Sequence, residues 1–340
     1  MNKKSMSYIN KKFRVFLITT TILLFVGCKN TQINSTSKIQ KTKNLKEINP
    51  YLPDFSEPVQ EINGYQLVFH DEFNHEGAMK TEFWRAETGF VRNNEHQWYQ
   101  AENGFCSDGR LVITAKKEQI QNPNYIENSK NWNTNRPFAA YTSASFITQT
   151  AYHQKYDSIL MIMRAKLPLQ TGGDEDYGVW PAFWTTGNGP WPHGGEIDIM
   201  EYYSERLMAN FAVKGKKGVK WTGNKEENNP NSYIKNIIEG KAIGFKNDPN
   251  WLQKYHTWKL IGDGTYLSVY LDEVFMSRIA LDTKNEDTSV REFPFKGNTC
   301  NFWLNLAVGG KPHPDAEKLA KTTFPRTYEI DYARIYILKK

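Results

Sequence analysis

The run Gly194-Gly-Glu-Ile-Asp-Ile-Met-Glu-Tyr-Tyr203 sets three acids, Glu196, Asp198 and Glu201, among Ile197, Ile199 and Met200, side chains that seek burial. In an extended chain successive side chains alternate between faces, so Glu196 and Asp198 share one face while Ile197 and Ile199 take the other. Glu201 is out of step by one residue. A β-bulge at Ile199-Met200 would return it to the face of the other two acids, and bulges concentrate beside active sites. Two carboxyl groups on one face with a third acid between them suit glycosidic bond hydrolysis, which needs a nucleophile, a proton donor and a group that tunes their ionisation. An edge strand with solvated acids would use the same letters, so the flanking sequence has to decide between the two.

Just upstream, Val179-Trp-Pro-Ala-Phe-Trp184 reads as a strand with Val179, Pro181 and Phe183 on a core face. Trp180, Ala182 and Trp184 take the other face, two indoles with a small residue between them, and Trp191 follows at the entry to the acid strand. Flat aromatic rings present apolar faces that match the C–H faces of sugars. Arg92-Asn-Asn-Glu-His-Gln-Trp-Tyr-Gln100 gathers amide, acid and aromatic groups suited to gripping hydroxyls, although a polar turn has the same composition. In Asn301-Phe-Trp-Leu-Asn-Leu-Ala-Val308, Trp303, Asn305 and Ala307 share a face, and an inward Asn305 needs a partner or a ligand.

Many short strands punctuated by Gly, Asn, Asp and Pro, with no long amphipathic helix, predict an all-β sandwich or barrel. Strands are expected over residues 65–70, 111–115, 144–148, 158–166, 179–184, 258–261, 266–271, 301–308 and 328–338, with a hairpin turn at Asp272-Glu273. Three stretches read as irregular: 119–137, 168–178 and 214–250, the last with a short helix near 234–239. No internal repeat, P-loop or dinucleotide-binding glycine pattern is present.

The formal charge of +6 does not describe the folded part, because five basic residues and no acid precede residue 28. The remainder carries 38 basic against 37 acidic residues, which removes a global nucleic-acid footprint. That N-terminus is basic through Arg14 and apolar from Val15 to Gly27, too short for a comfortable membrane span and right for a signal peptide. Leu24-Phe-Val-Gly-Cys28 resembles a bacterial lipoprotein box, which would make Cys28 a lipidated first residue anchored to the outer membrane, on a side left undetermined. The chain thus divides into residues 1–27 as lipoprotein signal peptide, 28–58 as a polar flexible tether and 59–340 as a catalytic domain expected to act as a monomer. Cys106 and Cys300 remain; export permits their pairing without requiring it. No Cys or His cluster has zinc-ligand spacing, and no cofactor is needed for the chemistry.

Together these residues carry a resemblance. Trp191-Pro-His-Gly-Gly-Glu-Ile-Asp-Ile-Met-Glu-Tyr202 resembles the active-site signature of glycoside hydrolase family 16, in the variant with two residues between the Asp and the second Glu. The likeness extends through Asp71-Glu-Phe-Asn74, Asn93-Asn-Glu-His-Gln97, Tyr141-Thr-Ser-Ala144, Arg164-Ala-Lys-Leu-Pro168, Trp180 to Trp184, Asn305 to Gly310 and Asp331-Tyr-Ala-Arg-Ile-Tyr336. It implies a concanavalin-like jelly-roll sandwich of two curved antiparallel sheets with a concave substrate cleft, and an endo-acting retaining mechanism. It also implies that Glu196 is the nucleophile, Glu201 the general acid/base and Asp198 the acid between them. Asn94, Trp180, Trp184, Trp191 and Asn305 would contact sugar. A structural calcium, to which Glu72 and Asp331 would contribute, is a further implication.

The general motif best resembles endo-1,3(4)-β-glucanases, or laminarinases. Such enzymes commonly carry a His in the next strand, and Leu207-Met-Ala-Asn-Phe-Ala-Val-Lys214 has none. The basic run Lys214, Lys216, Lys217 and Lys220 suggests an alternative, sulfate esters of a red-algal galactan of the agarose, porphyran or carrageenan type. A surface glycan-binding lipoprotein without turnover is the alternative of another class, and the presence of all three acids opposes it.

Overall fold

The computed structural model describes residues 48–56, 59–224 and 229–339. The expected signal peptide, Cys28 and the tether up to residue 47 lie outside the described residues. From Ile48 to Lys340 the chain forms one compact unit, in which apolar residues at alternate positions make strands and the Gly, Asn and Asp punctuation makes turns.

Two antiparallel sheets stack into the all-β, jelly-roll-like sandwich expected. The nine-stranded sheet contains Tyr65–Asp71, Gly77–Ala78, Gly104–Ser107, Arg110–Ala115, Ile159–Lys166, His256–Gly262, Tyr266–Leu271, Val274–Ala280 and Arg326–Leu338. The seven-stranded sheet positions the site and is made of β1 (Trp84–Ala86), β2 (Ser145–Thr148), β3 (Val179–Thr186), β4 (Glu196–Tyr203), β5 (Arg206–Gly215), β6 (Gly218–Gly223) and β7 (Trp303–Val308). Its spatial order is β6-β5-β4-β3-β7-β2-β1.

The core lies between the sheets. Phe183, Ile197, Phe211, Leu304 and Leu306 of the seven-stranded sheet pack in one cluster with Met161, Met163, Trp258, Leu260 and Ile335 of the other. Phe183 and Phe302 bring their ring centroids to 4.4 Å. Burying each such side chain contributes roughly 1.5–3 kcal/mol, which fixes which face of β3 and β4 points inward and therefore sends Trp180, Trp184 and the acids outward. The hairpin forms where expected, with Asp272 (φ 47°) and Glu273 (φ 66°) both in the left-handed region that a two-residue turn of this hand requires. The Asp272 carboxylate accepts the Thr257 backbone N–H at 2.9 Å, which helps an acid to occupy that position. Cys106 and Cys300 are free and buried, and burial pushes each thiol up to about 12.

Two expectations need correction. Residues 214–250 are not irregular throughout, because β5 runs to Gly215 and Gly218–Gly223 forms β6 at the sheet edge, while the short helix does form over Ile234–Ile238. The lysines that made this segment read as loop are typical of an edge strand, where charge discourages pairing with other chains. The domain also starts earlier than residue 59. Arg164 donates to the Leu52 carbonyl at 3.0 Å and to that of Asn49 at 2.8 Å, Tyr255 N–H reaches the Pro50 carbonyl at 2.7 Å, and Asp54 N–H reaches Asp331 at 2.9 Å. A polar segment docks here through backbone groups, which composition does not display.

Candidate active site

The strand ladder sets the three acids in order. Toward β3, Glu196 pairs with Thr186, Asp198 with Trp184 and Glu201 with Ala182; toward β5 the partners are Ala212, Asn210 and Met208. The register shifts between Asp198 and Glu201 on both sides. Ile199 and Met200 together therefore oppose Ala209 alone, the two-against-one arrangement of a bulge, at the predicted place. Ile197, Ile199, Met200 and Tyr202 go to the core, and Glu196, Asp198 and Glu201 all line one recess on the outer face.

Each outer carboxylate is held by an indole. Trp191 Nε1 donates to Glu196 Oε2 at 2.9 Å, and Trp180 Nε1 donates to Glu201 Oε1 at 2.7 Å. Burial pushes the Glu196 carboxyl above the ordinary carboxylate range, while the Trp191 N–H, the charge of Arg92 and a hydrogen bond with Asp198 act to lower it. Asp198 is 4% exposed and sits between the other two in the ladder. Tyr203 packs edge-on against Trp180 at 5.5 Å, and the buried His313 ring stands 6.1 Å from the same indole, which fixes the plane of the group that holds Glu201.

The acids open into a cleft of about 660 Å³ lined by Trp184, Trp191, Asn210, Trp221, Trp303 and Lys311 among others. Trp303 stacks on Trp184 with centroids 4.3 Å apart, and the Arg92 guanidinium lies 5.2 Å from the Trp184 ring and 5.0 Å from that of Trp303. Asn305 finds its partners within the protein: its Oδ1 accepts from Trp184 Nε1 at 2.7 Å and its Nδ2 donates to Tyr99 Oη at 3.1 Å. It lines the recess, and its carbonyl end orients Trp184 while its amino end is tied to Tyr99.

Trp180, Trp184, Trp191 and Asn305 are thus brought together with the acids, and Asn94 is not. Asn94 is exposed and does not line the recess, whereas Arg92, Asn93 and Glu95 do. Glu95 is 1% exposed, accepts from Gln97 Nε2 at 2.7 Å, and is pushed up to about 7 by burial. The turn after β7 clasps this loop, with Lys311 N–H donating to the Asn93 carbonyl at 2.8 Å. A Cβ at Gly310 would come within 2.9 Å of that carbonyl, so the glycine is needed for the approach. Trp221 and Trp303 also belong to the cleft. Trp303 shared a strand face with Asn305 in the sequence and could have been taken with it; Trp221 lay in the segment read as loop.

Glu72 and Asp331 do not fit the implied calcium. Arg334 engages Glu72 through two hydrogen bonds, at 2.9 and 2.6 Å, and Arg164 pairs with Asp331, so a guanidinium already neutralises each carboxylate. Calcium takes about six to eight oxygen ligands, and among the described residues no group of three or more His, Cys, Asp or Glu is placed to hold a metal. The basic run does not line the cleft either. Lys220 pairs with Glu286 at 3.5 Å, and the Lys216 N–H donates to the same carboxylate at 2.5 Å.

Comparison with known proteins agrees with this geometry. Residues 102–249 match the family described as XgeA-like, catalytic GH16 domain. The glucan endo-1,3-beta-glucosidase of Cryptopygus antarcticus is 30% identical over 292 residues, which cover 79% of this chain and 90% of that protein. The clotting factor G alpha subunit of Tachypleus tridentatus is 28% identical over 283 residues, 80% of this chain, but this chain spans only 34% of its length. Among solved structures, one from work on endo-acting O-glycanases with which human gut bacteria initiate mucin breakdown overlays with a TM-score of 0.65 at 26% identity, covering 83% of this chain and 94% of that one. The endo-beta-1,3-glucanase from Pyrococcus furiosus overlays with a TM-score of 0.59 at 26% identity, covering 83% and 98%.

Proposed function

Because this chain belongs to glycoside hydrolase family 16, we propose that it is an endo-acting retaining β-glycanase that cleaves β-1,3-glucan or mixed-linkage 1,3(4)-glucan by double displacement. The observation that carries the reading is the bulge at Ile199-Met200, which delivers Glu196 and Glu201 to one recess with Asp198 between them. The relatives named for endo-1,3-glucan cleavage point to the substrate.

In the first step Glu201, oriented by Trp180, protonates the leaving oxygen while Glu196 attacks the anomeric carbon. Glu201 then takes a proton from water, and the resulting hydroxide equivalent releases the glycosyl group from Glu196 with net retention. Trp191 and Arg92 favour the ionised Glu196 that attack requires. The Trp184–Trp303 stack offers an aromatic platform for a sugar on the β3–β7 side.

The overlay with the mucin O-glycanase structure favours a second reading, an O-glycan substrate. The sulfated-galactan alternative loses its motive, since the lysines that suggested it are not among the residues that line the cleft. Reducing-sugar release from laminarin, barley β-glucan, mucin O-glycans, agarose, porphyran and carrageenan, with Glu196→Gln as the inactive control, decides among them. Release from the two glucans alone is expected; release from mucin alone would replace the glucan reading, and equal release by Glu196→Gln would remove the assigned nucleophile.

The basic-then-apolar leader ending at Cys28 supports an exported lipoprotein that holds the catalytic domain near a membrane. Fatty-acid labelling in cells that is lost in Cys28→Ala is the expected outcome; equal labelling of both proteins would exclude a lipid at Cys28.

A further inference from the structure

His313 is fully buried behind the catalytic recess, and neither displacement step uses it. It belongs to the turn between β7 and the short helix Ala316–Lys321. Its backbone N–H donates to the Gly310 carbonyl at 2.9 Å and its Nδ1 to the Gly309 carbonyl at 3.2 Å, which together set the plane of the ring. Its Nε2 has no hydrogen-bond partner among the described residues, so the ring acts on its neighbours by packing.

Three rings meet it edge to face, the arrangement aromatic pairs prefer. Their centroids lie 5.0 Å away for Tyr177, 6.0 Å for Tyr203 and 6.1 Å for Trp180. Tyr177 is itself fixed, because its hydroxyl accepts the Asp315 backbone N–H at 3.0 Å. His313 therefore links an anchored phenol to the indole whose N–H reaches Glu201 Oε1 at 2.7 Å. Burial pushes the imidazole down to about 4, so near neutral pH the ring brings no charge to that indole. Glu196, Asp198, Arg92 and Glu95 share the recess with Glu201, and Tyr203 interacts with Glu201 and with Arg206. On the other flank His96 and Lys318 face His313.

We propose that His313 is a positioning residue for proton donation: wedged against Trp180, it holds the indole N–H on Glu201 and so keeps the general acid aimed at the leaving oxygen. The inference rests on the glycanase reading, because Glu201 is a proton donor only there. A loosened indole has two effects. It lets the acid wander from the leaving oxygen, and it withdraws a donor that stabilises ionised Glu201, so the proton is lost at higher pH.

The test compares the wild type with His313→Ala, His313→Phe, Trp180→Phe and the double variant Trp180→Phe/His313→Ala. Two substrates are made from whichever polysaccharide the wild type cleaves: an oligosaccharide, and a dinitrophenyl glycoside of the same sugar, whose leaving group departs without a proton. His313→Ala is expected to lose roughly tenfold in kcat/KM on the oligosaccharide and little on the dinitrophenyl glycoside. Its alkaline limb should move up by about half a pH unit, while the acid limb stays in place. His313→Phe, which keeps a ring against Trp180, should restore most of both, and the change at 313 should add little once Trp180 is Phe. Equal losses on the two substrates with an unmoved alkaline limb, or an undiminished loss in the Trp180→Phe background, would overturn the role. A wild type inactive on every polysaccharide would remove the glycanase reading and this role with it, whereas failure of the role alone appears only in the variants. If His313→Ala does not fold, His313→Leu, which fills the space without a ring, is read against His313→Phe in the same way.

Discussion

Trp191 controls how far toward acid pH the nucleophile stays ionised. Its indole N–H stabilises the charged form of Glu196, whose carboxyl burial otherwise pushes upward. Removing the donor in Trp191→Phe raises the Glu196 pKa further, so the acid limb of kcat/KM against pH moves to higher pH while the alkaline limb stays in place. A pH profile of the two proteins checks this, and an unmoved acid limb would refute the indole's role. Legibility at this scale depended on regular backbone. The parity of β3 and β4 placed Trp180, Trp184, Glu196 and Asp198 correctly. It could not choose between Asn93 and Asn94, because both occupy left-handed conformations (φ 56° and 53°) where alternation does not operate. Asn305 was expected to need a partner, and within the protein the Trp184 indole and the Tyr99 hydroxyl supply two.

The bulge makes an element-scale prediction. Deleting Ile199 would restore continuous pairing along β4 and leave Glu196-Ile-Asp-Met-Glu, in which plain alternation keeps all three acids on the outer face. The bulge is needed only because two residues separate Asp198 from Glu201, so the deletion variant is expected to keep Glu201 in the recess and to avoid the roughly 10²–10⁴ loss in rate that removal of a general acid brings. A loss of that size would show that the bulge itself aims Glu201. Met200→Leu, which keeps the residue count, should retain both activity and melting temperature; activity assays with thermal melts compare them. The acid out of step in Glu196-Ile-Asp-Ile-Met-Glu201 made the bulge readable from sequence, since an acid due on the core face is a contradiction that one extra residue resolves. Strand β6 was not readable. Lys216, Lys217 and Lys220 masked the alternation of Val219 and Trp221, and an edge strand needs only one face to be partly apolar.

At the scale of the whole molecule, the all-β sandwich followed from repeated alternation and turn residues, but its strand order and the domain's beginning did not. Residues 49–54 dock through carbonyls and one N–H onto Arg164, Tyr255 and Asp331, and no side-chain pattern announces such contacts. A chain starting at Ile48 should match the longer protein in urea stability. One starting at Val59 strips Arg164 of two acceptors and Asp331 of one donor and should lose about 2–4 kcal/mol. Equal urea midpoints for the two truncations would show the docked segment to be dispensable. The two thiols carry another consequence of this architecture. Only a thiolate attacks an alkylating reagent, and with both groups pushed up to about 12 and sealed in the core, the native protein should ignore iodoacetamide at neutral pH. Cys106 lies on Gly104–Ser107 of the nine-stranded sheet, and Cys300 lies just before β7 of the other. Their labelling rates are therefore two built-in clocks for local opening, one on each layer, readable without adding a probe to the sequence.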